Sequence, residues 1–259
     1  MTSSYVEIAL LGEPQPLKKG QLVPAFIASM AFDPARAAFR ALSRCHTVQH
    51  VYTEVAANFY KTFSSAPPTG CFNPMHLMVT EITVIKRCCL VQHEGLFIGL
   101  RYQQPAQPAP AQPADFYLVI NRDVNCRSST KLAIDRVECT AAQTQPSGCN
   151  HATVWRMPFD NVNNFQLNLA QLAIILNFIA DEATQHNLLA ENCFWFTHAT
   201  REVISRRVFN QDPDAFIVPH FWLWRIGTYF NRRVGQNQID HIIEQYTFTW
   251  DEVFVKLLC

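Results

Sequence analysis

A block of β-prone segments lies between helical segments in this 259-residue chain, and that order restricts the fold more than any single motif. His76 to Lys86 and Leu90 to Tyr102 are rich in Val, Ile, Thr and aromatics, the composition of half-buried strands. Phe116 to Asn121, Leu132 to Cys139 and Thr153 to Met157 read as three further, shorter strands. Before this block, Asp33 is placed as an N-cap with Pro34 at the first helical position, and one long helix is expected to run to about Phe63. Its apolar stripe is Phe39, Leu42, Cys45, Val48, Tyr52, Val55 and Phe59, spaced by three and four. After the block, Asn164 to Glu182 is apolar almost all round and should form a central, buried helix. Helix, strands, then helices argue an α+β fold, an antiparallel sheet packed against helices.

Composition limits the function classes. Apolar residues make up 49% and charged ones 16%, with Lys+Arg and Asp+Glu balanced at 21 each, so no basic patch offers itself to nucleic acid. No stretch reaches the ~20 consecutive apolar residues of a membrane span. Pro14, Pro16, Lys18 and Lys19 interrupt the N-terminus, which does not read as a secretory signal. Nine cysteines, an odd number, with Cys88 and Cys89 adjacent, favour reduced thiols and a cytoplasmic protein. Eight glycines with no G-x-G-x-x-G or P-loop pattern leave no nucleotide cofactor to expect.

One segment carries chemistry. Leu188 to Phe196 places Cys193 where an apolar helix has ended and a second begins. Phe196, Thr200, Val203 and Val208 then recur at roughly helical spacing, and Arg201, Glu202 and Arg206 lie between them, so a one-sided helix with a solvated charged face is expected. A thiol in the first turn of a helix lies near unpaired N–H groups and the positive dipole end, which lower its pKa. Such a nucleophile needs a base and an orienter. His76, at the entry to a strand after Asn73-Pro74-Met75, is the base candidate; His93 and then Asn121, on neighbouring strands, are the orienters. The alternative is a non-catalytic binding or structural protein in which Cys193 is one more buried cysteine among aromatics.

With His76-Leu77-Met78-Val79 early and Asn192-Cys193-Phe194-Trp195-Phe196 late, the chain resembles the permuted papain-like thiol enzymes, the NlpC-type and lecithin:retinol acyltransferase-like superfamily. It also resembles uncharacterised fungal proteins with an Asn-Cys-aromatic-Trp-Phe signature after a long apolar helix. The resemblance covers about residues 70 to 208. It implies a papain-like catalytic core over 70–208, with a Pro-rich excursion at 103–114, an N-terminal extension over 1–69 and an aromatic-rich C-terminal extension over 209–259. It further implies an acyl-enzyme on Cys193 formed from a small-molecule or peptide amide, ester or thioester. Trp195 stands where acyltransferase relatives often carry histidine, and no His-Trp-Ala strand motif is present.

Other constellations compete for attention. His46, His50 and Glu54 fall at i, i+4 and i+8 of the expected first helix, a spacing compatible with metal ligands, although a solvated polar face explains them as well. Cys139, Cys149 and His151 match no standard zinc spacing, and no metal site is expected. Trp195, Trp222 and Trp224, with the aromatic cluster from Phe221 to Phe230, could line an apolar substrate pocket or simply pack a core.

Overall fold

The structure, a computed structural model, describes residues 33–63, 71–87, 93–103, 115–124, 133–141, 151–159, 166–182, 193–210 and 236–258. Contacts divide the chain after Asp33, and the elements below belong to the second unit, Pro34–Cys259. The excursion at 104–114, and Trp222, Trp224 and Cys149 lie outside the described residues.

Two helices replace the single long one expected at the start: α1, Pro34–Leu42, and α2, Val48–Thr62. The apolar periodicity runs through both, but the backbone between them is taken up elsewhere. Arg44 and Cys45 N–H groups turn back to the carbonyls of Ala41 and Leu42, and Thr47 caps α2 by accepting the His50 N–H on its side chain. Thr47 also bridges to Arg136, while Val137 N–H donates to the His46 carbonyl at 3.0 Å. A strand edge thus satisfies the groups that a continuous helix would have used itself.

Five strands follow: β1 Leu77–Arg87, β2 His93–Tyr102, β3 Phe116–Val124, β4 Ala133–Ala141 and β5 His151–Pro158. They form one sheet in the order β4-β3-β2-β1-β5, and every neighbouring pair is antiparallel. The first four make a meander, and β5 returns beside β1. Alternation sorts the side chains: Val79, Ile82, Val84, Leu96, Ile98, Leu100, Phe116, Leu118, Ile120, Val137, Trp155 and Met157 all join the main core. A bulge between Val79 and Glu81 keeps β1 in phase with β2 across that row. On the other face Phe97 stacks on Tyr117 at 4.3 Å between ring centroids, and Tyr117 donates its hydroxyl to Glu81, which also pairs with Arg156 at 2.8 Å.

Three helices complete the described core: α3 Leu169–Glu182, α4 Cys193–Ile204 and α5 Gln236–Leu258. α3 starts at Leu169, not near Asn164, because Asn168 and Gln171 form a reciprocal cap (Gln171 N–H to Asn168 Oδ1, 3.0 Å; Asn168 N–H to Gln171 Oε1, 3.1 Å). α4 packs against β2 and β3 on one side and against α3 and α5 on others. A single π-helical turn, Ser205–Phe209, extends it and ends at Asn210 in the left-handed region. Among the described residues, no helix is long and apolar enough to cross a membrane.

Candidate thiol site at the start of helix α4

Cys193 is the first residue of α4, as its sequence context led us to expect, but its surroundings are not those of an activated thiol. Only 6% of it is exposed, and its Sγ accepts a hydrogen bond from the Glu94 N–H at 3.5 Å. Burial pushes the thiol up to about 11; the Glu94 N–H bond opposes this and the Glu94 carboxylate adds to it. The depressed pKa expected from the helix terminus is therefore overturned. The dipole end contributes well under one burial penalty when the thiolate would have to leave water entirely.

Glu94 grips α4 twice. Its main chain donates to Cys193, and its Oε2 accepts from Thr197 Oγ1 at 2.7 Å, one helical turn further on. Beside it, Arg122 on β3 pairs with Asp135 on β4 at 3.2 Å, and the guanidinium carbon lies 6.0 Å from the Trp195 ring centre and 5.6 Å from that of Phe196. Glu94, Arg122 and Asp135 are all buried. None was singled out from the sequence, yet a signal existed: Glu94 is in phase with Leu96, Ile98 and Leu100, Arg122 with Leu118 and Ile120, and Asp135 with Val137. Three strands each place a charge where alternation demands an apolar residue, all at one end of the sheet.

α4 itself is not one-sided. Thr197, His198, Thr200, Arg201 and Glu202 are buried with its apolar residues. Arg201 and Glu202, expected on a solvated face, are instead buried: Arg201 Nη2 lies 3.8 Å from Glu202 Oε1 and 3.3 Å from His198 Nδ1, and Glu202 Oε2 pairs with Arg206 at 2.9 Å. A helix enclosed by a sheet and two other helices has no solvated face, so its polar groups must pair.

The structure does not bring His76 to Cys193. His76 ends the 3₁₀ turn Pro74–His76 that leads into β1, where its Nδ1 meets the Tyr102 hydroxyl and its Nε2 the Asn73 amide, each at 3.4 Å. Leu77 pairs with Tyr102 at the far end of β2, whereas Cys193 meets Glu94 at its beginning. Eight residues of strand, about 26 Å at ~3.3 Å each, separate the two ends. Direct proton transfer from Cys193 to His76 is excluded by that distance. Burial also pushes the His76 imidazole below its ordinary value.

The other two polar candidates fall at the Cys193 end of the sheet, but at positions of the opposite strand phase to Glu94, Leu96 and Ile120, which face α4 and the core. His93 opens β2 opposite Arg87, and its carbonyl carbon is bonded to the very nitrogen that donates to Cys193. Asn121 pairs with Gly95 on β3, and its side chain lies across that glycine: a Cβ there would come within 2.5 Å of Asn121 Oδ1. Glycine at position 95 is what makes room for the amide.

Trp195 is fully buried in the main core, so it cannot line a substrate pocket open to solvent. Nor do His46, His50 and Glu54 share a helix face. His46 precedes the cap Thr47 and gives its carbonyl to β4, and Glu54 accepts from Asn58. Among the described residues, no group of three His, Cys, Asp or Glu side chains converges as metal ligands would.

No family model, no curated protein and no solved structure matches this chain.

Proposed function

We propose that the chain is a thiol-dependent hydrolase or acyltransferase of permuted papain-like arrangement, acting on an amide, ester or thioester, with Cys193 as nucleophile and His93 as general base in place of His76. The observation that supports it is the hydrogen bond from Glu94 N–H to Cys193 Sγ at 3.5 Å, which puts the thiol one residue from a histidine at the start of a strand. Asn121 is the orienter. It is paired with Gly95, two residues along from His93 and in the same strand phase; that phase is opposite to Glu94's, so in this reading the imidazole reaches the thiol past the open end of β2.

In this reading His93 takes the Cys193 proton as the sulfur adds to the carbonyl carbon. Backbone N–H groups at the start of α4 receive the oxyanion. The bond to the leaving amine, alcohol or thiol then breaks, and that group takes the proton from the imidazolium, leaving a thioester on Cys193. Water, or an acceptor nucleophile, gives its proton to His93 and adds to the thioester; the sulfur departs and recovers a proton. A thiol pushed up to about 11 is protonated at rest, so in this scheme it depends on a neighbouring base to react.

The rival reading, a binding or structural protein in which Cys193 only packs, is favoured by the 6% exposure of that residue. Peptide mass spectrometry after brief exposure to p-nitrophenyl acetate separates the two. Acetylation confined to Cys193 and lost in His93→Ala is the outcome of the thiol-enzyme reading. Acetylation that spares Cys193, or falls on several cysteines alike, leaves the packing role.

A further inference from the structure

We propose that the Pro74–His76 turn is a pH-sensitive latch on one end of the sheet. It closes only while His76 is neutral with its ring proton on Nδ1, and a second proton, on Nε2, opens it. The latch lies at the end of β1 and β2 away from Cys193, so it stands apart from the reading of that thiol.

The Asn73 side chain dictates this. Its Oδ1 accepts the Met75 N–H at 2.9 Å, and a main-chain N–H can only donate, so the amide has one orientation. Its other end, Nδ2, therefore faces His76 Nε2 at 3.4 Å. An amide nitrogen donates and does not accept. Nε2 must then be the accepting nitrogen, which leaves the proton of the neutral ring on Nδ1, 3.4 Å from the Tyr102 hydroxyl. The Asn73 main chain hydrogen-bonds that same hydroxyl, so three side chains close on one another.

Protonation of Nε2 sets two donors face to face. Turning the amide over moves the conflict to the Met75 N–H, and swinging the ring away gives up both of its contacts. The turn matters to the sheet: His76 N–H donates to the Asn73 carbonyl at 3.0 Å, and the His76 carbonyl accepts the Gln103 N–H at the end of β2 at 2.7 Å. Helices α2 and α3 both pack against it. The charged groups on these neighbours are His50, Glu54 and Lys61 of α2, Asp181 and Glu182 of α3, and Arg101 and Asp115 beside Tyr102. None of them adds to burial as a cause acting on the imidazole, and Asp115 is engaged by the Tyr102 N–H. Burial and the Asn73 donor thus act in one direction, against the imidazolium. The closed turn binds the second proton less tightly than the opened chain does. Closure is therefore complete above the ordinary imidazole value and is lost as pH falls below it.

The test is NMR of the nitrogen-15-labelled protein from about pH 8 down to about pH 5. At the upper end the His76 ring should show the Nδ1–H tautomer; an Nε2–H tautomer would overturn the proposal. As pH falls, protection of the Met75 and Gln103 amides, corrected for intrinsic exchange, should drop by up to about tenfold per pH unit, the limit for one coupled proton. The Ile98 amide, on a strand paired on both sides, should keep its protection. Parallel loss at Ile98 would mean general unfolding and would reject the latch, as would unchanged protection at Met75 and Gln103. His76→Gln carries no titrating group, so both amides should stay protected through the same range. A loss in that variant equal to the wild type's also rejects it. If His76→Gln does not fold, the wild-type tautomer and exchange profile still decide.

Discussion

Arg122 Nη1 lies 3.2 Å from Asp135 Oδ1 across the β3–β4 pair, with both side chains beneath α4. The pair is a contest between two effects. Burial pushes the Asp135 carboxyl up from its ordinary 3.8 to about 6, and the attraction of Arg122 opposes this without reversing it. Desolvation wins because the ion pair has given up most of its water.

The sign of the resulting pH dependence follows from linkage. The native state binds the Asp135 proton more tightly than the unfolded chain does, so between about pH 4 and 6 the native state carries more protons. Stability contributed by this group is present below pH 4 and is lost as pH rises toward 6, by at most about 3 kcal/mol. Urea denaturation of Asp135→Asn should lack this component. The stability difference between variant and wild type therefore changes across that window and is flat above it.

Removal of one partner should cost more than removal of both. Arg122→Met leaves a buried carboxylate without its cation and should lower stability by roughly 3–5 kcal/mol. Arg122→Met with Asp135→Leu should recover most of that loss. A double variant as unstable as the single one would show that Arg122 contributes mainly through its contacts with Trp195 and Phe196.

Trp195 is a core residue by position, 0% exposed. Trp195→Ala should destabilise the fold by roughly 3–5 kcal/mol, and Trp195→Phe by less. A Trp195→Ala protein of near wild-type thermal stability would contradict this placement.

The two histidines make opposite forecasts. His76→Ala should leave Cys193 acylation and alkylation within about twofold of wild type, since some 26 Å of strand separates them. His93→Ala should reduce acylation by roughly 100-fold or more, the usual contribution of a general base. Equal losses in both would point to a fold defect, which near-UV circular dichroism would register.

Much of this architecture was legible in the sequence because it depends on local pattern. The five strands and the all-apolar α3 announce themselves by period. The break at 43–47 does not, because the stripe from Phe39 to Phe59 continues through it and only β4 backbone, some ninety residues away, draws the chain out of helix. The buried face of α4 was hidden for a similar reason. Arg201 and Glu202 look solvated until the elements that enclose them are in place. Position at a strand entry fits both His76 and His93, so it could not choose between them as the histidine near Cys193. An antiparallel hairpin sends those two entries to opposite ends of the sheet, and only the three-dimensional partner of Cys193 distinguishes them.

The contact between Thr197 and Glu94 joins residues 103 apart in the chain, and β5 reaches β1 only after three intervening strands. Contacts of such separation slow folding, because chain entropy is lost long before they form. During synthesis β2 is complete well before α4 emerges, so Glu94, Arg122 and Asp135 must wait, charged and hydrated, for their roof. Shielding of the Cys193 thiol is then among the final events of folding, and the rate at which it disappears from a thiol reagent measures how long the nascent sheet stays open.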